Sequence, residues 1–264
     1  MEYHIKEEGK FQYIESGEGE EALLLLHGLF GALSNFKTII DRFAVSHNVV
    51  VPILPIFSLP IRKLSLKGLV DYVNEFVKMK GYKRLHVLGN SLGGHIALLF
   101  ALDNADVVSS IVLTGSSGLF ESAMGSTFPK RGDYDFVKRK TEGTFYNPEI
   151  ASKELVDEVY DIVNDRNRAI RIVVTAKSAV RNNLQDKLHQ IKAPTLLLWG
   201  KDDVITPPFV AEKFGELIEN SELVFFDKCG HAPMMEHPND FNQVLSDFLK
   251  KHYKVELVKK SETE

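Results

Sequence analysis

Three things are scarce in this sequence: cysteine, excess positive charge and unbroken apolar runs. Its 264 residues contain one cysteine, Cys229. A single thiol excludes a disulfide within the chain and a cysteine-built metal centre. Lysine and arginine total 32 against 36 aspartates and glutamates, for a formal net charge of −4. A protein whose main partner is nucleic acid needs a basic face, so none is expected here. No stretch approaches the roughly 18 apolar residues that span a bilayer. The richest, Ala22–Leu26 and Val49–Phe57, are broken by His27-Gly28 and by Pro52 and Pro55. The opening segment MEYHIKEEGK is charged and holds no apolar core for export. The expectation is a cytoplasmic protein without a membrane role. The tail from Lys250 to Glu264 mixes both signs and reads as a solvated end.

Apolar residues make up 44% of the chain, enough for a substantial core. Tyr3–Lys6 and Phe11–Glu15 alternate as two strands joined by Glu7–Lys10. Ala22–Leu26 is apolar at every position, as a strand covered on both faces is, and Val49–Leu54, Arg84–Leu88 and Ser110–Thr114 read as further buried strands. Helical patterns separate them: from a cap at Ser34 or Asn35 to about Phe43, Leu66 to Met79 stopping at Gly81, and Leu92 to Leu102. This alternation predicts a mostly parallel sheet with helices on both faces. It lapses from about Gly118 to Lys192. There, EIASKELVDEVYDIVND and NRAIRIVVTAKSAVRNN read as helices, and SSGLFESAMGSTFPKRGDYDF as loop. It resumes with strand Thr195–Trp199, helix Pro208–Ile218, strand Glu222–Phe226 and helix Pro238–His252. The expected division is a core of residues 1–117 and 193–264, interrupted by a helical insertion of residues 118–192.

Gly89-Asn90-Ser91-Leu92-Gly93 lies where a buried strand meets a helix. A serine on so tight a turn needs small neighbours two residues to either side, and the turn lifts its hydroxyl above the sheet. A hydroxyl is a weak nucleophile until a base takes its proton. The base and its acid should follow in the order serine, acid, histidine. Gly200-Lys201-Asp202-Asp203 ends one strand, and Asp227-Lys228-Cys229-Gly230-His231 follows the next. All three groups then sit at one edge of the sheet, where open parallel sheets build their sites. By position alone, Asp202 and Asp203 are both candidate acids. The turn His27-Gly28-Leu29-Phe30-Gly31 follows another central strand. It can supply the N–H of Leu29, or of Phe30, beside that of Leu92 to hold an oxyanion.

Taken together, LHGLFG, GNSLGG, WGKDDVITP and CGHAPMMEHP resemble the α/β-hydrolase superfamily over nearly the whole chain. The resemblance implies an α/β-hydrolase fold with a mostly parallel eight-stranded sheet and a helical cap at 118–192. It implies Asp203 as the acid, three residues after Gly200, beside Ser91 as nucleophile and His231 as base. Among the superfamily, the sequence looks most like the enzymes that hydrolyse carbon–carbon bonds of ring-cleavage products. Asn90, and Ser34-Asn35 after the His-Gly turn, match polar positions those enzymes use near substrate. Phe30 and Ala232 are the remaining expected substrate contacts. Two positions depart from that group. Ala232 stands where it often has a tryptophan, and Val159 where it has a substrate-binding arginine, although Arg166, Arg168 and Arg171 are near. The loop PILPIFSLP is apolar where the superfamily usually has an aspartate and glycines, and is expected to form a pocket wall.

The expected activity is a serine hydrolase with no cofactor and no metal, acting on a small-molecule carbonyl compound. Esters come first. The alternatives are carbon–carbon hydrolysis of a dienone acid, or a ligand-binding protein of low turnover. Cys229 is expected to be a buried structural thiol. His27 is expected to orient the oxyanion loop, His95 to fill a polar helix face, and Met234-Met235 to line a pocket or core.

Overall fold

The computed structural model describes residues 3–19, 21–31, 36–120 and 130–252. Its strands are β1 (Lys6–Glu8), β2 (Phe11–Ser16), β3 (Ala22–Leu26), β4 (Asn48–Pro52), β5 (Leu85–Asn90), β6 (Val108–Thr114), β7 (Thr195–Gly200) and β8 (Ser221–Phe226). Helices α1 (Lys37–Phe43), α2 (Leu66–Lys80) and α3 (Leu92–Asp103) lie between the early strands. Helices α4 (Tyr134–Glu142), α5 (Lys153–Asn164) and α6 (Arg166–Arg181) lie between β6 and β7. Helices α7 (Pro208–Leu217), α8 (Pro233–Glu236) and α9 (Pro238–His252) complete the described residues.

The eight strands form one sheet in the order β1-β2-β4-β3-β5-β6-β7-β8. Strands β3 to β8 run parallel, and β1 and β2 are antiparallel at one edge. The chain leaves β3 for β4 on one side and returns to β5 on the other. The carboxyl ends of β3 and β5 therefore flank the crevice where such sheets bind ligands.

The central strands split their apolar side chains between two cores, as a period of two requires. Leu24, Leu26, Val87 and Ile111 pack beneath α2 and α3, whereas Leu23, Leu25, Leu88 and Val112 pack against α1 and α9. Helix α2 starts where the Ser65 hydroxyl accepts from Gly68 N and ends at Gly81 with φ 70°.

Two expectations need correction. The first strand is Lys6–Glu8, paired as Lys6↔Tyr13 to Glu8↔Phe11, rather than Tyr3–Lys6. All three of its residues are exposed, so no apolar alternation marks it. The turn falls at Gly9, with φ 59°. The segment read as loop up to Phe136 contains the start of α4. Asp133 caps that helix by accepting from Phe136 N at 3.0 Å, but only Val137 and Thr141 on it are buried. Two buried positions leave too little periodicity to read. The cap expected at Ser34 or Asn35 lies outside the described residues.

Several polar groups are buried in neutral form. His86 Nε2 donates to Glu21 Oε2 at 2.8 Å, and its Nδ1 accepts from Ser110 Oγ at 2.7 Å. Burial holds the pKa of His86 below its ordinary value, against the pull of Glu21. Burial likewise depresses His27 and takes His95 down to about 4.

Two predictions follow from this packing. A Cβ on Gly93 would lie 1.9 Å from Leu26 O, so Gly93→Ala should lower unfolding stability by about 3 kcal/mol. Gly132→Ala, with open space around it, should be neutral; equal urea midpoints for the two variants would contradict the close approach. The buried histidines predict acid sensitivity. Below about pH 6.5 the unfolded chain takes up protons that His27, His86 and His95 refuse in the fold. Stability should be full above that pH and fall toward pH 4, by up to about 1.4 kcal/mol per pH unit for each histidine. Urea midpoints that stay flat between about pH 7.5 and about pH 5 would contradict this assignment.

Candidate active site

Ser91 occupies the turn between β5 and α3 with φ 54° and ψ −118°. Such a backbone costs a non-glycine residue roughly 1–3 kcal/mol and persists only when its surroundings force it. Here they do. Ser91 N donates to Thr114 O at 3.1 Å, and Ser91 O accepts from Gly94 N at 3.0 Å and Ser117 N at 3.1 Å. A Cβ on Gly89 would meet Gly93 C at 2.4 Å, so the spacing of small residues is a packing requirement. Gly28 approaches from β3, where a Cβ would lie 3.3 Å from Ser91 Cβ. This brings the His-Gly turn against the serine. His27 fixes the turn from behind: its Nδ1–H donates to Gly28 O at 2.9 Å, and its Nε2 accepts from Leu54 N at 3.0 Å.

The two candidate acids separate clearly. Asp202 is exposed, and its carboxylate accepts from Cys229 N at 3.3 Å, bracing the next loop. Asp203 is buried. Its Oδ1 accepts from Ile205 N at 2.8 Å and Thr206 N at 2.9 Å. Its Oδ2 accepts from Thr206 Oγ1 at 2.8 Å and from His231 Nδ1 at 2.9 Å. Four donors balance the cost of burying this charge. Thr206 is a site residue that sequence reasoning missed, although an aspartate three residues before a threonine is a recognisable turn signal.

His231 follows β8, and its N–H donates to Thr144 O at 2.9 Å. Gly115, with φ 50°, leaves room for the ring, since a Cβ there would sit 2.8 Å from His231 Nδ1. With Nδ1 donating to Asp203, Nε2 is the acceptor. It is buried and has no partner among the described residues. Ser91 and His231 line one cavity of about 500 Å³. Contacts between a serine and its base are often loose until substrate binds.

The same cavity is lined by Leu29, Phe30, Asn90 and Ala232. Leu92 is buried and opens α3 directly after Ser91. Asn90 Nδ2 is engaged with Thr114 O at 3.0 Å and His231 O at 3.4 Å, so it also braces the base. Asn35 lies outside the described residues. Met235 lines the cavity and Met234 is core. His95 is fully buried, its Nε2–H donating to Asn182 O at 2.9 Å, rather than filling a polar helix face. Cys229 is buried too. Desolvation, with Glu236 and Asp203 nearby, pushes its thiol well above the ordinary range, so it is no nucleophile.

Of the three arginines noted in the insertion, none lines this cavity. Arg171 donates to Leu59 O at 2.6 Å and holds a loop. The cavity instead has Arg139 and Lys140 on α4, both largely exposed. No sequence signal marked them, because the helix itself was unread. No group of three or more metal-ligating side chains occurs among the described residues, and none of the described helices is long and apolar enough to cross a membrane.

Known proteins fit this geometry. Residues 21–238 match the family model described as alpha/beta hydrolase fold. A curated relative from Paraburkholderia phymatum, named 2-hydroxy-6-oxononadienedioate/2-hydroxy-6-oxononatrienedioate hydrolase, is 29% identical over 91% of each chain. The solved structure of MGS-MChE2, an alpha/beta hydrolase enzyme from the metagenome of lagoon sediments at Mar Chica, Morocco, is 43% identical. It aligns with a TM-score of 0.78, over 94% of this chain and 98% of that one. The 2-hydroxy-6-oxo-6-phenylhexa-2,4-dienoate hydrolase of Rhodococcus sp. strain RHA1 shares the fold, with a TM-score of 0.82 at 21% identity over 94% and 100% of the two chains. By the family match over most of its length, this chain belongs to the α/β hydrolase fold family, and it is an enzyme of the hydrolase class.

Proposed function

We propose that the chain is a serine hydrolase acting on a small to medium carbonyl compound, most readily a carboxylic ester. The observation that carries this reading is the 2.9 Å contact of His231 Nδ1 with Asp203, beside a strained Ser91 in the same cavity. Ser91 Oγ attacks the carbonyl carbon while His231 Nε2 takes its proton. Asp203 keeps the imidazole in the required tautomer and stabilises its cation. The N–H groups of Leu29 and Leu92 receive the oxyanion, each worth about 3–4 kcal/mol in the transition state. His231 then protonates the leaving group, and water releases the acyl group by the reverse path. Only the chain's own groups and water take part. The insertion acts as the cap, because Phe136 on α4, Phe145 in the loop after it and Leu155 on α5 wall the cavity.

An uncharged substrate suits the remaining wall. Val159 and Ala232 are apolar where the ring-cleavage enzymes, by the resemblance drawn above, have an arginine and a tryptophan. A second reading has its own support. The curated relatives are named for hydrolysis of dienoic acids, which favours carbon–carbon bond cleavage over ester cleavage. Arg139 and Lys140 at the cavity are cations that a substrate carboxylate would need.

Intact-mass measurement after exposure to a fluorophosphonate tests the core of the proposal. The wild type should gain one adduct and Ser91→Ala none. Asp203→Asn should label at least about a hundredfold more slowly, since the wrong tautomer then faces the serine. A folded wild type that stays unlabelled would refute the proposal. Comparing kcat/KM for a short neutral ester and a dienone acid decides between the two readings. The ester should lead by about tenfold or more. If the dienone acid leads, and Arg139→Gln weakens that substrate alone, carbon–carbon hydrolysis takes its place.

A further inference from the structure

A second cavity, of about 440 Å³, adjoins the one that holds Ser91. The two share Leu29, Phe30, Gly31 and Leu155. The shared wall thus contains the loop whose Leu29 amide is proposed to hold the carbonyl oxygen. A substrate bound at that amide has room to extend into both spaces. His231 lines the first cavity and not the second. The leaving group, which His231 must protonate, therefore belongs in the first. The acyl group runs past Leu29 and Phe30 into the second.

The second cavity differs in chemistry from the first. The apolar loop after β4 supplies Ile53, Leu54, Ile56 and Phe57. Helices α5 and α6 supply Glu154, Glu158 and Arg168. Glu154 and Glu158 are one helical turn apart and share a face. Glu154 is exposed at the mouth, whereas Glu158 and Arg168 are half-buried. The Arg168 guanidinium lies over the Phe57 ring, 4.6 Å from its centroid. No hydrogen bond within the described residues reaches the Glu158 carboxylate or the Arg168 guanidinium. His27, also in this wall, has both ring nitrogens occupied. The cavity thus offers one free acceptor and one free donor side by side on an apolar floor. Its two carboxylates outnumber its one cation. Burial raises the pKa of Glu158 against the pull of the nearby Arg168 cation.

We propose that the second cavity binds the far end of the acyl group, and selects an uncharged end that both donates and accepts hydrogen bonds, such as a hydroxyl or primary amide, over a carboxylate. Glu158 accepts from that end and Arg168 donates to it. A carboxylate would meet the same arginine but also two like charges. The proposal rests on the serine-hydrolase reading above and names the acyl half of its substrate.

The test uses fluorophosphonates with alkyl chains of equal length ending in hydroxyl, carboxamide or carboxylate, and a short methyl fluorophosphonate as control; in each, fluoride leaves as Ser91 Oγ bonds to phosphorus. The rate of adduct formation on Ser91 is read by intact mass. The wild type should react about tenfold faster with the hydroxyl and amide ends than with the carboxylate. Glu158→Gln should raise the carboxylate rate and narrow that gap to about threefold or less, with the methyl control unchanged. Arg168→Gln should slow the hydroxyl and amide probes, again with the control unchanged. Equal rates for the three long probes on the wild type would overturn the proposal. So would a Glu158→Gln effect that is the same on the control. If no probe labels the folded wild type, the serine reading fails instead, and that result differs from labelling without discrimination.

Discussion

The close approach of α3 to the end of β3 is the constraint on which the rest of the site depends. Gly93 lies so near Leu26 O that no side chain fits there. That contact sets the start of α3, and the start of α3 sets the bend at Ser91. With φ at 54°, the serine is held in a conformation its side chain disfavours. The strain is opposed by burial of a helix that is apolar on nearly every side, with Ile96, Ala97, Leu98 and Phe100 all in the core. The sheet core therefore supplies the free energy that keeps one hydroxyl raised at the crevice.

The base is held from a different direction. Glu236 Oε1 accepts from Gly230 N at 2.6 Å, while its Oε2 accepts from Tyr146 N at 2.8 Å and Asn147 N at 3.1 Å. One carboxylate thus ties the loop before His231 to the insertion between β6 and β7. The His231 amide makes a second tie to Thr144 O. Gly230 is needed there, because a Cβ would come within 2.6 Å of Thr144 O. The wall of the cavity and the position of the imidazole are consequently set together. A shift of the insertion would move the base as well as the pocket.

Strand β3 was legible because a parallel strand covered on both faces is apolar at every position, and the other parallel strands as short apolar-rich runs between helical patterns. Helices α2, α5 and α6 were legible from their stripes, and α9 from Pro238 and its periodicity. Ser91, Asp203 and His231 stood out because each follows a strand of the parallel sheet. What escaped was governed by contacts distant in sequence. The edge strand β1 has no buried face. Helix α4 buries only Val137 and Thr141, so Arg139 and Lys140 went unread with it. Local spacing left Asp202 and Asp203 equal; the family resemblance favoured Asp203, and its burial and its contact with His231 agree. The role of Glu236 depends on backbone amides up to ninety positions away, whereas Thr206 acts on Asp203 only three positions before it.

The chain also contains a set of groups that shows what a triad requires beyond its members. Ser110, His86 and Glu21 are linked by hydrogen bonds of 2.7 and 2.8 Å, a serine, an imidazole and a carboxylate in series. All three are buried. Ser110 lies within β6, just past a register shift opposite Leu85 and His86 and without the positive φ of Ser91, toward the opposite end of the strands from Ser91. Its hydroxyl faces no described cavity and follows no strained turn. Burial also depresses His86, so accepting a proton there would strand a charge in the core. At His231 the acid, the cavity and a free Nε2 occur together. The same three chemical groups therefore make a structural clamp at one end of the sheet and a candidate catalytic centre at the other. The difference lies in the backbone of one serine and in the space left in front of it.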